Sequence, residues 1–427
     1  MAHEARQRVL IVADDLTGSF DTAGPFAQQG LATMVVAQPL DCDADAVSGA
    51  RVVSINTDSR HLEPAVAAAR VERCVRHFSE QRFDIVFKKI DSTLRGNVAT
   101  ETMSLMKVCQ RKVALIAPAF PAQGRTVVKG VVHVDGLPLA QTGFAKDALS
   151  PPPLKPLAEL FAEFLGAGHV AGWQSGESLQ FPDEGVIVAD AGSDDDLSEI
   201  YSKFSGSVTR TLFVGSAGLG LILAQFLSAA SGAAQSLPAE SEAVQAPAAD
   251  LTSKSESDLT EPLVFVVGSR AARSREQVEQ LRNFPETIVL EAPNGRLAAV
   301  PDLGAARQVV ALAVADLEAG NVDSVEVARQ IAHAGLSIAN DIGAGAMVVT
   351  GGDTAIAVLE ASRCAAIQVA GNLMPGIPFA RFEQNGRSII LVTKAGGFGT
   401  ADTMVDIVRR LREGAMPGSA MEITTRE

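Results

Sequence analysis

The stretch VLIVADDLTGSFDTAG, residues 9–24, ends an apolar run in two adjacent carboxylates, Asp14 and Asp15, with Thr17 and Gly18 close behind. Such a pair can accept hydroxyl protons or remove one as a general base. Two further stretches repeat the mixture: FDIVFKKIDSTLRGN supplies Lys88, Lys89, Asp91, Ser92 and Arg95, and INTDSRHLEP supplies Asn56, Asp58 and Arg60. Carboxylates for hydroxyl groups and cations for a carboxylate are what a polyhydroxylated acid requires. A plainer alternative is that Asp and Ser here only cap helices, with Asn97 as the N-cap of the helix after Arg95. That accounts for any one loop, but adjacent acids need neutralising partners if buried.

The second half of the chain carries the complementary chemistry. Three apolar runs each pass through glycine into a helical pattern: Gly268-Ser269, then Gly351, Gly352, Asp353 and Thr354, then Lys394 with Gly396, Gly397 and Gly399. Glycine lets the backbone approach a ligand closely, and the following helix presents unpaired N–H groups and a positive dipole end. One such junction serves tight strand-to-helix geometry alone. Three in one domain predict a nucleotide site, and none has the GxxxxGK[ST] spacing of a P-loop.

These groups need elements to hold them at one edge. Apolar runs at 9–13, 32–37, 51–55, 83–90, 113–118, 186–190 and 211–215 alternate with helical patterns, the βαβ rhythm of a mostly parallel sheet. Ligands of such sheets bind beyond the carboxyl ends of the strands, where the acids and glycines fall. On the strand before Asp91 the side chains of Lys88 and Lys89 point to opposite faces, so at most one faces the crevice. Residues 129–142 break the rhythm, with alternating apolars about Asp135-Gly136 that predict a projecting hairpin. Ser228–Pro262 is rich in Ala, Ser, Glu and Pro and reads as a linker, after which strands are expected at 263–267, 286–290, 347–350 and 388–393. The expected division is a substrate domain at 8–230, a linker at 231–262 and a nucleotide domain at 263–420. Each domain is an α/β mostly parallel sheet flanked by helices, with the active site in the cleft between them.

Composition narrows the partners. A net charge of −14 argues against nucleic acid and anionic membranes. No apolar run reaches the roughly 18 residues of a membrane span, and the polar start MAHEARQR lacks the apolar core of a signal peptide, which predicts a cytoplasmic location. Cys42, Cys74, Cys109 and Cys364 have neither disulfide-framework nor zinc spacing. The oligomeric state, a homo-oligomer included, is left open.

Together the motifs ADDLTGSFDT, KKIDSTLRGN, VGSAGLG (214–220), VVGSR, VTGGDTA and KAGGFG, in this order over nearly the whole chain, resemble the four-carbon acid sugar kinases. The resemblance implies ATP-dependent phosphorylation of the 4-hydroxyl of a tetronic acid. The KKIDST–Arg-Gly-Asn version is similar to D-threonate and D-erythronate kinases, with D-threonate the expected acid and 3-oxo-tetronate an alternative. Carried over, the substrate site falls on Asp14, Asp15, Arg60, Lys88, Lys89, Asp91 and Ser92. The ATP site falls on Ser269, Gly351, Gly352, Asp353, Thr354, Gly396 and Gly397. Asp14 or Asp15 is the expected base with Asp91 the other candidate, and Mg²⁺ is expected with its ligands unassigned. Pro25 departs from the pattern by sitting inside the helix expected after ADDLTGSFDT, where it removes a backbone bond. Two rivals are a nicotinamide-dependent sugar-acid dehydrogenase, with VGSAGLG as the cofactor turn, and a non-catalytic sugar-acid binding protein. The first has GxxGxG instead of GxGxxG spacing, and the second leaves three glycine junctions without a purpose.

Overall fold

The computed structural model describes residues 7–147, 150–178, 182–235, 262–297, 309–315 and 323–413, and the chain divides into two compact units, Met1–Glu242 and Ala243–Glu427. In the first unit the strands β1 (Val9–Ala13), β2 (Thr33–Val36), β3 (Val52–Asn56), β4 (Ile85–Lys89) and β5 (Val113–Ala117) are buried along nearly their whole length. Burial on both faces is why they read as continuous apolar runs. A small antiparallel sheet follows, β6 (Arg125–Val128), β7 (Val131–Val134) and β8 (Leu137–Pro138), then β9 (Val170–Gln174), β10 (Gly185–Asp190) and β11 (Thr211–Gly215). The main sheet of this unit runs β2-β3-β1-β4-β11-β5-β10-β9, all parallel. Its helices are α1 (Leu16–Gln28), α2 (Pro64–His77), α3 (Val98–Val108), α4 (Leu157–Leu165), α5 (Asp194–Phe204) and α6 (Ala217–Gln235).

Register decides what meets what. Ala13 lies opposite Asn56 and Lys89, and Lys89 lies opposite Gly215. The residues just past β1, β3, β4 and β11 therefore share one carboxyl edge. The hairpin about Asp135-Gly136 forms with φ of 51° and 81°, the two left-handed residues that a type I′ turn demands. Asp190 fixes the small sheet to β10 by accepting from the amides of Lys129 and Gly130.

The second unit contains β12 (Leu263–Val267), β13 (Thr287–Pro293), β14 (Val309–Ala315), β15 (Ala346–Thr350), β16 (Ala366–Met374), β17 (Ile377–Gln384) and β18 (Arg387–Lys394), with helices α7 (Ala272–Arg282), α8 (Ser324–Asp341), α9 (Gly352–Ala361) and α10 (Thr403–Arg412). Its order is β13-β14-β12-β15-β18-β17-β16, parallel up to β18 and then an antiparallel meander. Phe265, Leu281, Val348, Phe379, Val392 and Ile407 belong to one core packed on this sheet.

Three expectations are refined. Helix α6 continues to Gln235, into the stretch read as linker, and residues 236–261 of that stretch lie outside the described residues, as do 414–420 of the expected nucleotide domain. Helix α1 runs through Pro25, three residues before its end, and forgoes the backbone bond to the carbonyl of Asp21. Asn97 stands at the start of α3 but forms no cap; its side-chain amide donates instead to the carbonyls of Ser59 (3.3 Å) and Leu62 (2.8 Å), tying two site loops together. No described helix is long and apolar enough to cross a membrane. Among the described residues no cysteine forms a disulfide.

Candidate active site

Asp15 caps α1 by accepting from the amide of Gly18 at 2.9 Å. Its second oxygen takes a 2.7 Å bond from Arg60 Nη1, while Nε and Nη2 of the same guanidinium fork onto Asp14 at 2.9 and 2.8 Å. Arg60 thus supplies the neutralising partner that the acid pair requires. Burial opposes ionisation of Asp14, but the adjacent Arg60, with Lys88 and Lys89, holds its carboxyl below the usual carboxylate range. Asp14 is nearly enclosed, with 4% of its side chain exposed against 23% for Asp15. The accessible acid of the pair is Asp15.

Beyond β4 the two lysines diverge as the strand period requires. Lys88 turns toward α3, where its ammonium lies 2.9 Å from Glu101, both side chains 1% exposed; it donates to the carbonyl of Lys89 at 2.9 Å. The contact with Glu101 is an ion pair without hydrogen-bond alignment, since both Glu101 oxygens lack a hydrogen-bond partner. Lys89 turns toward α1, beside Gly18. It is buried, and its ammonium donates no hydrogen bond among the described residues. Ser92 also forms none among them. Asp91 is occupied: it accepts a fork from Arg95 at 2.9 Å on each oxygen, together with the amide and hydroxyl of Thr93. Burial works against its ionisation, yet those hydrogen bonds and the charges of Arg60 and Arg95 hold its carboxyl far below the usual range. A carboxylate so satisfied is a weak base.

A pH dependence follows. Asp14 and Asp91 both have folded-state pKa values below their unfolded ones, so their stabilisation is complete above the unfolded value and disappears as pH falls through the folded one. The melting temperature of the first unit should be steady above about pH 5 and fall below about pH 4. Trp173, the only tryptophan and buried in β9, reports on this unit by fluorescence. A melting temperature in Asp91→Asn that falls as steeply as in the unsubstituted chain would count against this account.

In the second unit the three glycine junctions follow β12, β15 and β18, which are neighbours in the sheet with Val267 opposite Thr350 and Thr350 opposite Lys394. A Cβ on Gly268 would overlap Thr354 Oγ1, and one on Gly396 would overlap Ser269 Oγ. These glycines draw the three turns into one cradle. Ser274 donates to the carbonyl of Gly396 at 2.7 Å, and Gln277 to those of Phe398 (3.0 Å) and Thr400 (2.7 Å). Buried Lys394 donates to Ala395 O at 2.8 Å and Phe398 O at 3.2 Å, and burial pushes its ammonium down to about 8. It anchors the loop from beneath. Nothing lies within 4 Å of a Cβ built on Gly397, so that residue's backbone is open to a ligand.

Sequence reasoning missed Glu101, Ser274 and Gln277. Glu101 carried a signal: with Val98, Thr102 and Leu105 it falls on the buried stripe of α3, where a charge demands a partner. The glycines of VGSAGLG are spent on packing. A Cβ on Gly218 would meet Ala119 O, and one on Gly220 would come 2.7 Å from Thr22 Cγ2. That use removes the reason for reading a dinucleotide turn there.

Residues 9–223 match a family model described as a sugar-binding N-terminal domain, and residues 264–404 one described as a nucleotide-binding C-terminal domain. The chain belongs to the four-carbon acid sugar kinase family. This kinase is 31% identical to a D-threonate kinase of Bordetella bronchiseptica, over 94% of this chain and 97% of that one. It is 26% identical to a D-erythronate kinase of Heliobacterium modesticaldum, over 92% of this chain and 94% of the relative. The solved structure of a Haemophilus influenzae protein of the family shares its fold, with TM-score 0.67 and 18% identity over 95% of this chain and 99% of that one. It is a carbohydrate kinase, and ATP use follows from that.

Proposed function

We propose that this kinase transfers the terminal phosphoryl group of ATP to the 4-hydroxyl of D-threonate, with D-erythronate and 3-oxo-tetronate as the alternative acids. One observation carries the acceptor side: Asp15, fixed by Gly18 and Arg60, is the accessible carboxylate of a pair whose other member is enclosed. Asp15 then orients or deprotonates the attacking hydroxyl. Three N–H groups of Arg60 are already directed at the pair, which supports a role in holding the two carboxylates more than in gripping the acid. Lys89, a buried ammonium without a hydrogen-bonded acceptor, and Ser92 suit the acid's carboxylate and hydroxyl oxygens. In this reading Lys88, Asp14 and Asp91 are supports.

On the donor side Ser269, Gly351–Thr354, Gly396 and Gly397 hold the phosphates through backbone amides and the N-terminus of α9. Asp353, a carboxylate in the first turn of α9, would hold Mg²⁺ here together with phosphate oxygens and water, as such ions are usually held by one or two carboxylates. When bound, the ion neutralises phosphate charge. Dependence on ATP favours a cytoplasmic setting.

The test of substrate is ADP release with both enantiomers of threonate and erythronate and with 3-oxo-tetronate. The highest kcat/KM is expected for D-threonate, and a preference of ten-fold or more for another acid replaces it. The division of labour predicts that Gly352→Val raises the KM for ATP by about ten-fold or more while leaving that for the acid unchanged, because a side chain at the helix start intrudes on the phosphate. Arg60→Lys should do the reverse, since an ammonium cannot reproduce the fork. Equal effects of both changes on both substrates would refute the division.

A further inference from the structure

At the other end of the first unit's strands, the amino ends of β5 and β10, lies a cavity of about 610 Å³ that none of the kinase chemistry uses. Its volume is in the range of small-molecule sites. Met103 and Met106 from α3 and Phe164 and Leu165 from α4 give it an apolar floor. Phe164 remains 48% exposed, although α4 is short and its other phenylalanine, Phe161, is fully buried. Methionine and a half-covered ring make an adaptable surface for a flat or flexible apolar body.

The walls are cationic in a chain whose net charge is −14. Arg111 is pinned there by the carbonyls of Phe83, Asp84, Val208 and Thr209, with the Asp84 carboxylate offsetting part of its charge. Lys107 is exposed at the end of α3 and pairs with no carboxylate among the described residues. Lys112 and Glu184 also line the cavity and offset one another at 3.6 Å. A net positive wall therefore stands over an apolar floor.

We propose that this cavity is a second binding site, distinct from the acceptor site, for a small organic monoanion with an apolar body. Its carboxylate meets Lys107, with the Arg111 charge behind it and no exposed Arg111 N–H left to donate, and its apolar part covers Phe164 and the two methionines. The site sits at the far end of α3 from Asn97, so occupancy bears on a helix that also carries Glu101, the partner of Lys88.

The probe is 3-phenylpropionate, titrated calorimetrically into the full chain with and without excess D-threonate, ATP being left out so that no turnover contributes heat. Saturable binding with a dissociation constant at or below about 1 mM is expected. The neutral 3-phenylpropanamide should bind at least ten-fold more weakly. Phe164→Ser and Lys107→Glu, both at exposed positions, should each weaken the probe ten-fold or more while leaving melting temperature and ADP release unchanged. Absence of saturable binding, equal binding of the amide, indifference to both substitutions, or displacement by D-threonate would each overturn the site. The kinase reading is tested separately by ADP release and does not fall with it.

Discussion

Replacing Asp15 by Asn should lower turnover by about 10²–10⁴-fold while ATP affinity stays nearly constant, the usual range for loss of a general base. The substitution preserves shape and leaves an oxygen for Gly18, so α1 keeps its cap; it removes the proton acceptor and one ionic partner of Arg60. Asp14→Asn should behave differently. It leaves the enclosed Arg60 with a single carboxylate and breaks a fork, so its principal effect is on stability and acid affinity, with a smaller loss in turnover. Phosphoryl transfer through a loose transition state needs little proton abstraction, so a loss of only ten-fold in Asp15→Asn would make Asp15 a positioning group. Wild-type turnover and acid affinity in both variants would make the pair structural. Asp91 would not then replace it as base, because its lone pairs are already claimed by Arg95 and Thr93.

The contrast between the two acids also marks where sequence reading stops. That a carboxylate pair ends β1 was legible, because an apolar run followed by acids is a local pattern. Which acid is accessible was not, because the answer depends on Arg60, which lies 46 positions from Asp14 in sequence and reaches it through the parallel pairing of β1 with β3. The same holds for the strands. Those buried on both faces announced themselves as continuous runs. β16 did not, since its alternately exposed residues and its glycine dilute the apolar signal. β14, VVALAVA, lies outside the expected strands because its alanines weaken the signal of a buried strand. The three glycine turns were legible singly, and their convergence needed the order β12-β15-β18, which no spacing in the chain encodes.

The buried pair of Lys88 and Glu101 gives the largest expected effect on stability. Lys88→Met preserves length and apolar packing but strands the Glu101 carboxylate, of which 1% is exposed, against the sheet. An uncompensated charge of this kind costs about 3–5 kcal/mol, so the first unit should unfold at markedly lower urea, followed by the fluorescence of Trp173 so that the second unit does not obscure the transition. Glu101→Leu should cost less, because the ammonium keeps the carbonyls of Lys89 and Val12 and the more distant charge of Asp14. The double variant Lys88→Met, Glu101→Leu removes both charges and should recover most of the loss, because a buried ion pair and an apolar pair of similar volume are often close in stability. If the double variant is as unstable as the sum of the single ones, the two side chains act independently and the pair is not what holds α3 on β4. If instead stability recovers while the KM for the acid stays at least ten-fold raised, Lys88 contacts the acid after all, and its place among the supports of the site is wrong.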